Sequence, residues 1–275
     1  WDDPRMPTLA GLRRRGVPPE ALRDFCSRIG MARAENTVEF SLLEFCIRED
    51  LEKRAPRRMA VLRPLKVVIT NMTEAEAFEV EVANHPEDQA MGTRRLPFTR
   101  ELFIDQDDFR EEAPKKWFRL APGAEVRLRG ACLVTCREVI KDAAGNVVEL
   151  RCEWDPASRG GNAPDGRKVK GTLHWVSAAH AVKAEVRLYE PLFTQEDPMD
   201  VPEGQDWKAL LNPGSLAILP EARLEPSLAD ACPGERFQFE RTGYFTVDGD
   251  SREGKPVFNR TVGLKDSWSK IEAKG

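Results

Sequence analysis

Between Pro114 and Leu120 the chain reads Lys115-Lys116-Trp117-Phe118-Arg119, three cations interleaved with two flat rings. Single-stranded RNA is held by that mixture, because splayed bases stack on rings or guanidinium planes while cations meet phosphates. Arg127 and Arg129 alternate in a strand-like run, which puts both on one face. Lys168 and Lys170 repeat that spacing after Asp165-Gly166 and are placed to meet phosphates. Arg57 and Arg58 follow Pro56. A solvated surface charge is the default reading of any one of these residues. As a set of cations and rings they point to a polyanion.

Other chemistries lack their residues. There is no GxxxxGK[ST] phosphate loop, and no GxGxxG follows a strand. Ser177 and His180 lie close together but without a nucleophile elbow. His174 and His180 fit packing or a backbone hydrogen bond, and Asp107-Asp108 and Glu111-Glu112 fit a helix first turn better than a general acid–base pair. The cysteines (26, 46, 132, 136, 152 and 232) are scattered, and no histidine is placed to complete a zinc set with Cys132 and Cys136. A structural metal is therefore not expected, and neither is an active site. A reducing, cytosolic compartment fits this cysteine usage.

The elements that must position these residues change character along the chain. Val17-Pro18-Pro19-Glu20 opens a helix through Leu22, Phe25, Cys26 and Ile29 that ends at Gly30. A second helix is expected from Asn36, capped by Glu39 three residues on, with Phe40, Leu43, Cys46, Ile47 and Leu51 on its apolar face. It should stop before Ala55-Pro56. Beyond Arg58 the pattern is short β-branched runs: 60–62, 65–69, 78–82, 102–104, 125–133, 147–154, 169–176 and 184–188. Ala144-Gly145-Asn146 and Asp165-Gly166 supply turns. The fold class is mainly β, a helical segment followed by barrels or sandwiches.

Net charge is −4, a weak argument against nucleic acid, but its distribution is uneven. Residues 190–230 hold nine acids against Lys208 and Arg223, whereas 1–70 are mildly basic. That separation suits docking on a polyanion in one orientation, although a solvated acidic loop explains 190–230 equally well. No run of 18 apolar residues exists to span a membrane. The chain starts at Trp1, so its natural N-terminus is expected upstream.

The opening Trp1-Asp2-Asp3-Pro4-Arg5-Met6-Pro7-Thr8 and the following LRRRG (12–16) resemble bacterial-type glutaminyl-tRNA synthetase. The likeness continues through CIREDL (46–51), APRRMAVL (55–62), NHP (84–86), DFREEA (108–113), DGRKVKG (165–171) and HWVSAAHA (174–181). FQFER (237–241), GYF (243–245) and PVFNRTVGLKDSW (256–268) complete it over nearly the whole chain. HWVSAAHA and VFNRTVGL are highly specific, whereas WDDPRMP is shared with eukaryotic-type glutamyl-tRNA synthetases.

The resemblance implies a helical subdomain at 1–56, the end of the catalytic region. It also implies two anticodon-binding β-barrels, a proximal one at 57–107 with 191–268 and a distal one at 108–190, similar to a ribosomal 5S-RNA-binding barrel. The implied parent activates glutamine with ATP and Mg²⁺ and esterifies it to tRNA-Gln in the cytoplasm, as a monomer away from membranes. This chain is expected to lie downstream of the ATP motifs and to bind neither cofactor itself.

By position in the family's motifs, Arg57 and Gln238 are expected to hold the middle anticodon uracil. A guanidinium and an amide can together satisfy its two carbonyls and its ring N–H. Arg119 falls on the reader of the third-position guanine, and a bidentate fork suits that base edge. Arg127 is expected beside the first base, on a phosphate, with Glu240 orienting one of these groups. Arg13, Arg14 or Arg15 is expected on the inner side of the tRNA. The family pattern Lys-Gln-Tyr-Lys-Arg is replaced here by residues 115–119. Lys116 loses an amide that both donates and accepts, Phe118 loses a cation, and Trp117 offers a broader ring for stacking.

Two other readings fit parts of the chain: a eukaryotic-type or non-discriminating glutamyl-tRNA synthetase, and a stand-alone β-barrel RNA-binding module. Residues 1–8, which make sense only beside an ATP loop, argue against the module.

Overall fold

Three helices open the chain. The computed structural model describes residues 1–31, 38–195, 197, 200–201 and 206–265. Its chain divides into two units, one formed by 1–56, 185–220 and the residues from 231 on, the other by 57–184 with 221–230.

In the first unit α1 (Leu9–Arg15) is capped by the Thr8 hydroxyl, which accepts from the Gly11 N–H at 3.0 Å. It ends at Gly16, whose φ of 96° needs glycine and whose Cα lies so close to Thr246 and Thr261 that a Cβ would come within 2.6 Å of both. α2 (Pro19–Ile29) and α3 (Phe40–Arg54) match the expected helices in type and in their C-terminal stops. Asn36, the expected cap of α3, lies outside the described residues, and α3 starts four residues after it. Its buried face carries Leu43, Cys46, Ile47 and Leu51, packed with Leu12, Val17, Tyr244 and Val262.

The second unit is a β body. Its strands are β1 (Arg57–Arg58), β2 (Ala60–Val61), β3 (Pro64–Ile69), β4 (Ala77–Ala83), β5 (Thr93–Thr99), β6 (Glu101–Asp105), β7 (Glu125–Leu128), β8 (Cys132–Lys141), β9 (Val147–Asp155), β10 (Thr172–Leu173) and β11 (Val176–Ser177). Seven of them form one sheet in the order β10-β7-β8-β9-β3-β6-β11, and β4-β5 form a hairpin. β10 and β11 are the two edges of that sheet, yet only His174 and Trp175 separate them in the chain. A sheet whose opposite edges are two residues apart must curl on itself, which makes it barrel-like. Trp175 fills the inside at 1% exposure, edge-on to Phe98, and its indole N–H donates to the Arg129 carbonyl at 3.0 Å.

Two strand expectations need correction. The run 125–133 is two strands around a turn at Arg129-Gly130-Ala131, where Gly130 has φ 71°. The run 169–176 is the crossing from one sheet edge to the other, not one strand. β3 pairs in parallel with β9 and antiparallel with β6, within the unit that takes in 57–184 and 221–230.

The remaining strands are β12 (Val182–Tyr189), β13 (Leu216–Leu224), β14 (Arg236–Phe239), β15 (Gly243–Val247) and β16 (Val257–Gly263), neighbours in the order β14-β15-β16-β12-β13. β12 lies parallel to β16, with Val186 opposite Phe258. Part of the acidic segment is structural. Glu225, 1% exposed, accepts from the Met59 N–H at 2.6 Å and from Arg94, while Glu221 pairs with Lys183. Glu196 and Glu203 lie outside the described residues.

Candidate nucleic-acid interface

In the second unit the 109–120 segment is a loop pinned at its ends. Phe109 and Leu120 form a parallel bridge, and the Leu120 N–H donates to the Asp108 carbonyl at 3.0 Å. Lys115 and Lys116 are exposed, as is Phe118 at 52%. The Trp117 indole N–H donates to the Leu120 carbonyl at 3.0 Å, and two guanidinium carbons lie over its ring, Arg110 at 4.5 Å and Arg119 at 5.4 Å. Arg119 donates to the Asp107 carbonyl at 2.8 Å and pairs with the buried Asp108 carboxylate at 3.2 Å. That anchoring aims its guanidinium before any ligand arrives. Asp107 and Asp108 do sit in a first turn, a 3-10 turn at Gln106–Asp108, whereas Glu111 and Glu112 are in no helix. His174 is buried, as expected of a packing histidine, whereas His180 is exposed and its Nδ1 meets the Ser177 hydroxyl at 3.1 Å.

Beside this loop runs the 158–173 segment. A Cβ on Gly171 would come within 2.5 Å of the Phe118 carbonyl oxygen, so only glycine lets the two stretches approach this closely. The Gly171 carbonyl accepts from the Arg127 N–H at 2.8 Å, and Arg127 Nε donates to the Gly161 carbonyl. Arg129 lies just beyond the end of β7, so the expected alternation along one strand face does not extend to it. Lys168 and Lys170 are exposed in a loop, with Lys170 Nζ 5.1 Å from the Phe118 ring centroid. Between the two lysines' loop and the sheet, Arg167 is held by Glu125 at 2.9 Å, Asp155 at 2.5 Å and Asp165 at 2.6 Å. Those hydrogen bonds raise its pKa further, and Arg167 holds the Asp165 carboxyl below its ordinary value.

Arg57 opens the second unit. Its N–H donates to the Asn84 carbonyl at 2.6 Å, and its Nε is buried with no hydrogen-bond partner among the described residues. Arg58 donates to Asn84 Oδ1 at 2.8 Å, and Glu225 is bound by Arg94 at 2.8 Å. A charged, buried network thus fixes the strand that carries Arg57. Its members Asn84, Arg94 and Glu225 are spread over more than 140 residues of chain, so no local spacing signalled them. Asn84 was marked only through the NHP motif.

In the first unit Gln238 sits on β14 opposite Tyr244, and its N–H donates to the Pro56 carbonyl at 3.0 Å. The residue is 8% exposed, and its Oε1 has no partner among the described residues. An unmet acceptor costs roughly 1–3 kcal/mol in a buried place. Glu240 is buried at the end of the same hairpin, next to Arg241, which holds a left-handed φ of 64°. The same unit carries an open cleft of about 540 Å³ between the start of α2, the end of α3 and 234–237. Glu20, Asp50, Arg54, Glu235 and Arg236 are among its lining residues, and burial lowers the Arg236 pKa.

The arginines of α1 divide. Arg15 is buried, donates to the Thr261 carbonyl at 3.0 Å and lies over Phe40, with its pKa lowered by burial. Arg14 is bound by Asp248 at 3.0 Å, Asp250 at 2.8 Å and Asp2 at 3.1 Å. These two are held by groups of their own unit. Arg13 alone is exposed.

Among the described residues no group of three or more His, Cys, Asp or Glu side chains could hold a metal ion, and no helix is long and apolar enough to cross a membrane.

Comparison with known proteins gives these surfaces a context. Residues 55–155 and 172–248 match the family of "tRNA synthetases class I (E and Q), anti-codon binding domain", and 1–53 match the catalytic domain of the same synthetases. A glutamine–tRNA ligase of Nitrobacter hamburgensis is 61% identical over the whole chain, one of Nitrobacter winogradskyi 59%, and one of Pseudomonas putida 56% over 98% of the chain. The chain spans about half the length of these relatives, 47–48% of each. With three matches in chain order and relatives at this identity, the chain belongs to the class I tRNA synthetases of the E and Q group.

Proposed function

We propose that this chain is the anticodon-reading portion of a glutamine–tRNA ligase and that its RNA is tRNA-Gln. The observation that carries this reading is a buried polar atom without a partner among the described residues in each unit taken by itself, Gln238 Oε1 in the first and Arg57 Nε in the second. An amide oxygen of this kind can accept a base ring N–H, and such a guanidinium can donate to a base carbonyl oxygen. A ligand that meets those atoms removes a cost the free protein carries.

The remaining roles are those that the family resemblance implies for each side chain. Arg119, already oriented by Asp108, donates to the two acceptors of the third-position guanine. Arg127, held by Gly161 through Nε, turns its remaining N–H groups to a phosphate beside the first base. Glu240 orients a neighbouring donor, and Lys116, Lys168, Lys170 and Arg13 supply phosphate contacts. The glutamine–tRNA ligase names of the relatives support glutamine as the amino acid. The full-length enzyme would use ATP and Mg²⁺ to join glutamine to tRNA-Gln, releasing AMP and diphosphate. We assign neither cofactor to residues of this chain. A monomeric, cytoplasmic protein fits the same reading.

The test is binding of this chain to a tRNA-Gln transcript and to one with the middle anticodon uracil replaced, at fixed salt because phosphate contacts alone mimic affinity. Tenfold or greater weakening is expected. Equal binding to both transcripts would overturn the reading.

A further inference from the structure

Trp117 is the residue of the 115–119 loop best suited by type to stack on a base, but its surroundings give it other work. Its indole N–H is fixed to the Leu120 carbonyl, and its ring already has Arg110 at 4.5 Å and Arg119 at 5.4 Å. Arg119 is tied to Asp107 and Asp108, whereas Arg110 is exposed and has no carboxylate in ion-pair range among the described residues. The acid next to it in sequence, Glu111, is taken by Lys141 at 2.7 Å. Arg110 is therefore an exposed guanidinium laid on a ring, its charge uncompensated and its orientation restricted. A guanidinium stacked this way keeps its edge N–H groups free, and that edge matches two phosphate oxygens.

We propose that Arg110 contacts a backbone phosphate of the bound RNA, and that Trp117 is a positioning residue that orients the Arg110 and Arg119 guanidinium groups and does not stack on a base. The inference rests on the proposed tRNA reading and adds to it a contact that the loop's own five residues do not contain. A phosphate contact carries no sequence information, so Arg110 should affect all transcripts alike, unlike Arg119.

The experiment measures binding of the chain and its variants to the tRNA-Gln transcript and to one with the third anticodon guanine replaced, from about 50 to 200 mM salt. Arg110→Ala should weaken binding to both transcripts equally, three- to tenfold at low salt. It should also flatten the plot of log affinity against log salt by about 0.7–0.9, one phosphate's worth. Arg110→Lys should restore the slope. Trp117→Leu should reproduce the Arg110→Ala loss and also reduce discrimination at the third base, and Trp117→Phe, which keeps a ring, should rescue both. Unchanged affinity and slope in Arg110→Ala, with the parent chain binding normally, would overturn the phosphate contact. Full activity of Trp117→Leu would overturn the positioning role. A parent chain indifferent to the middle uracil would show instead that the underlying anticodon reading fails. Thermal melts matching the parent are expected for Arg110→Ala, since the side chain is exposed.

Discussion

Two short basic segments of similar composition, Arg13-Arg14-Arg15 and Lys115 to Arg119, are used in opposite ways. At the end of α1 the fold neutralises its cations: Arg14 meets three carboxylates, and Arg15 is buried against Phe40 and the Thr261 carbonyl. In the loop before Leu120 it displays them, with one lysine pair exposed and the guanidinium groups laid on a ring. A basic motif therefore does not mark a polyanion site until the number and burial of its counter-charges are known. The helix uses the charge to hold α1 on its sheet, whereas the loop leaves it exposed.

The sharpest way to break that contrast is at Asp248, whose side chain is fully buried between Arg14 and Arg187. Asp248→Ala removes the buried carboxylate shared by Arg14 and Arg187, leaving them only their more exposed partners Asp2, Asp250 and Glu185. It should cost about 1.5–3 kcal/mol in urea unfolding, without altering the salt dependence of RNA binding. Burial pushes the Asp248 carboxyl up, but Arg14, Asn259 and the Asp250 N–H together hold it below its ordinary value of 3.8. A lowered carboxylate contributes stability that is present above 3.8 and lost as pH falls through its folded value. Unfolding measured at pH 6 and then below 3.8 should show that loss in the parent and less of it in Asp248→Ala.

Next in size, Arg57→Ala or Gln238→Ala should each weaken tRNA binding by about 1–3 kcal/mol, the usual worth of a base contact. Their melting temperatures should hold, because each removes an atom that has no partner among the described residues. Gly171→Ala should cost about 1–2 kcal/mol of stability, since the added methyl meets the Phe118 carbonyl. Its RNA affinity should fall with it if the loop is the displaying segment. Lys116→Ala should change affinity less than tenfold, flattening the salt slope by about one phosphate. Smallest of all, Arg13→Ala should leave stability within about 0.5 kcal/mol, as an exposed position does. A larger loss would move Arg13 to the neutralised group.

The sequence made α2 and α3 legible because proline, glycine and apolar periodicity all act over a few residues. It hid α1, whose seven residues include three arginines and depend on Thr8 and on Gly16 meeting a sheet built from residues 243–263. The Lys115–Arg119 loop could be read by type, as cations beside rings. Its working geometry could not, because Arg110 reaches Trp117 only through the Phe109–Leu120 bridge. The parallel β3–β9 pairing was hidden for the same reason: it joins residues about 80 positions apart. Local chemistry shows in a sequence, and register between distant strands does not.

The chain passes between its two units at residues 56, 184, 220 and 230. On a ribosome the second unit can assemble most of its sheet once residue 177 has emerged. The first cannot: the apolar face of α3 waits for Tyr244 and Val262. At about 5–20 residues per second that delay is roughly 10–40 s, during which Leu43, Ile47 and Leu51 lack part of their core. Of the two units, the one whose helices are made first is thus the one whose core is completed last.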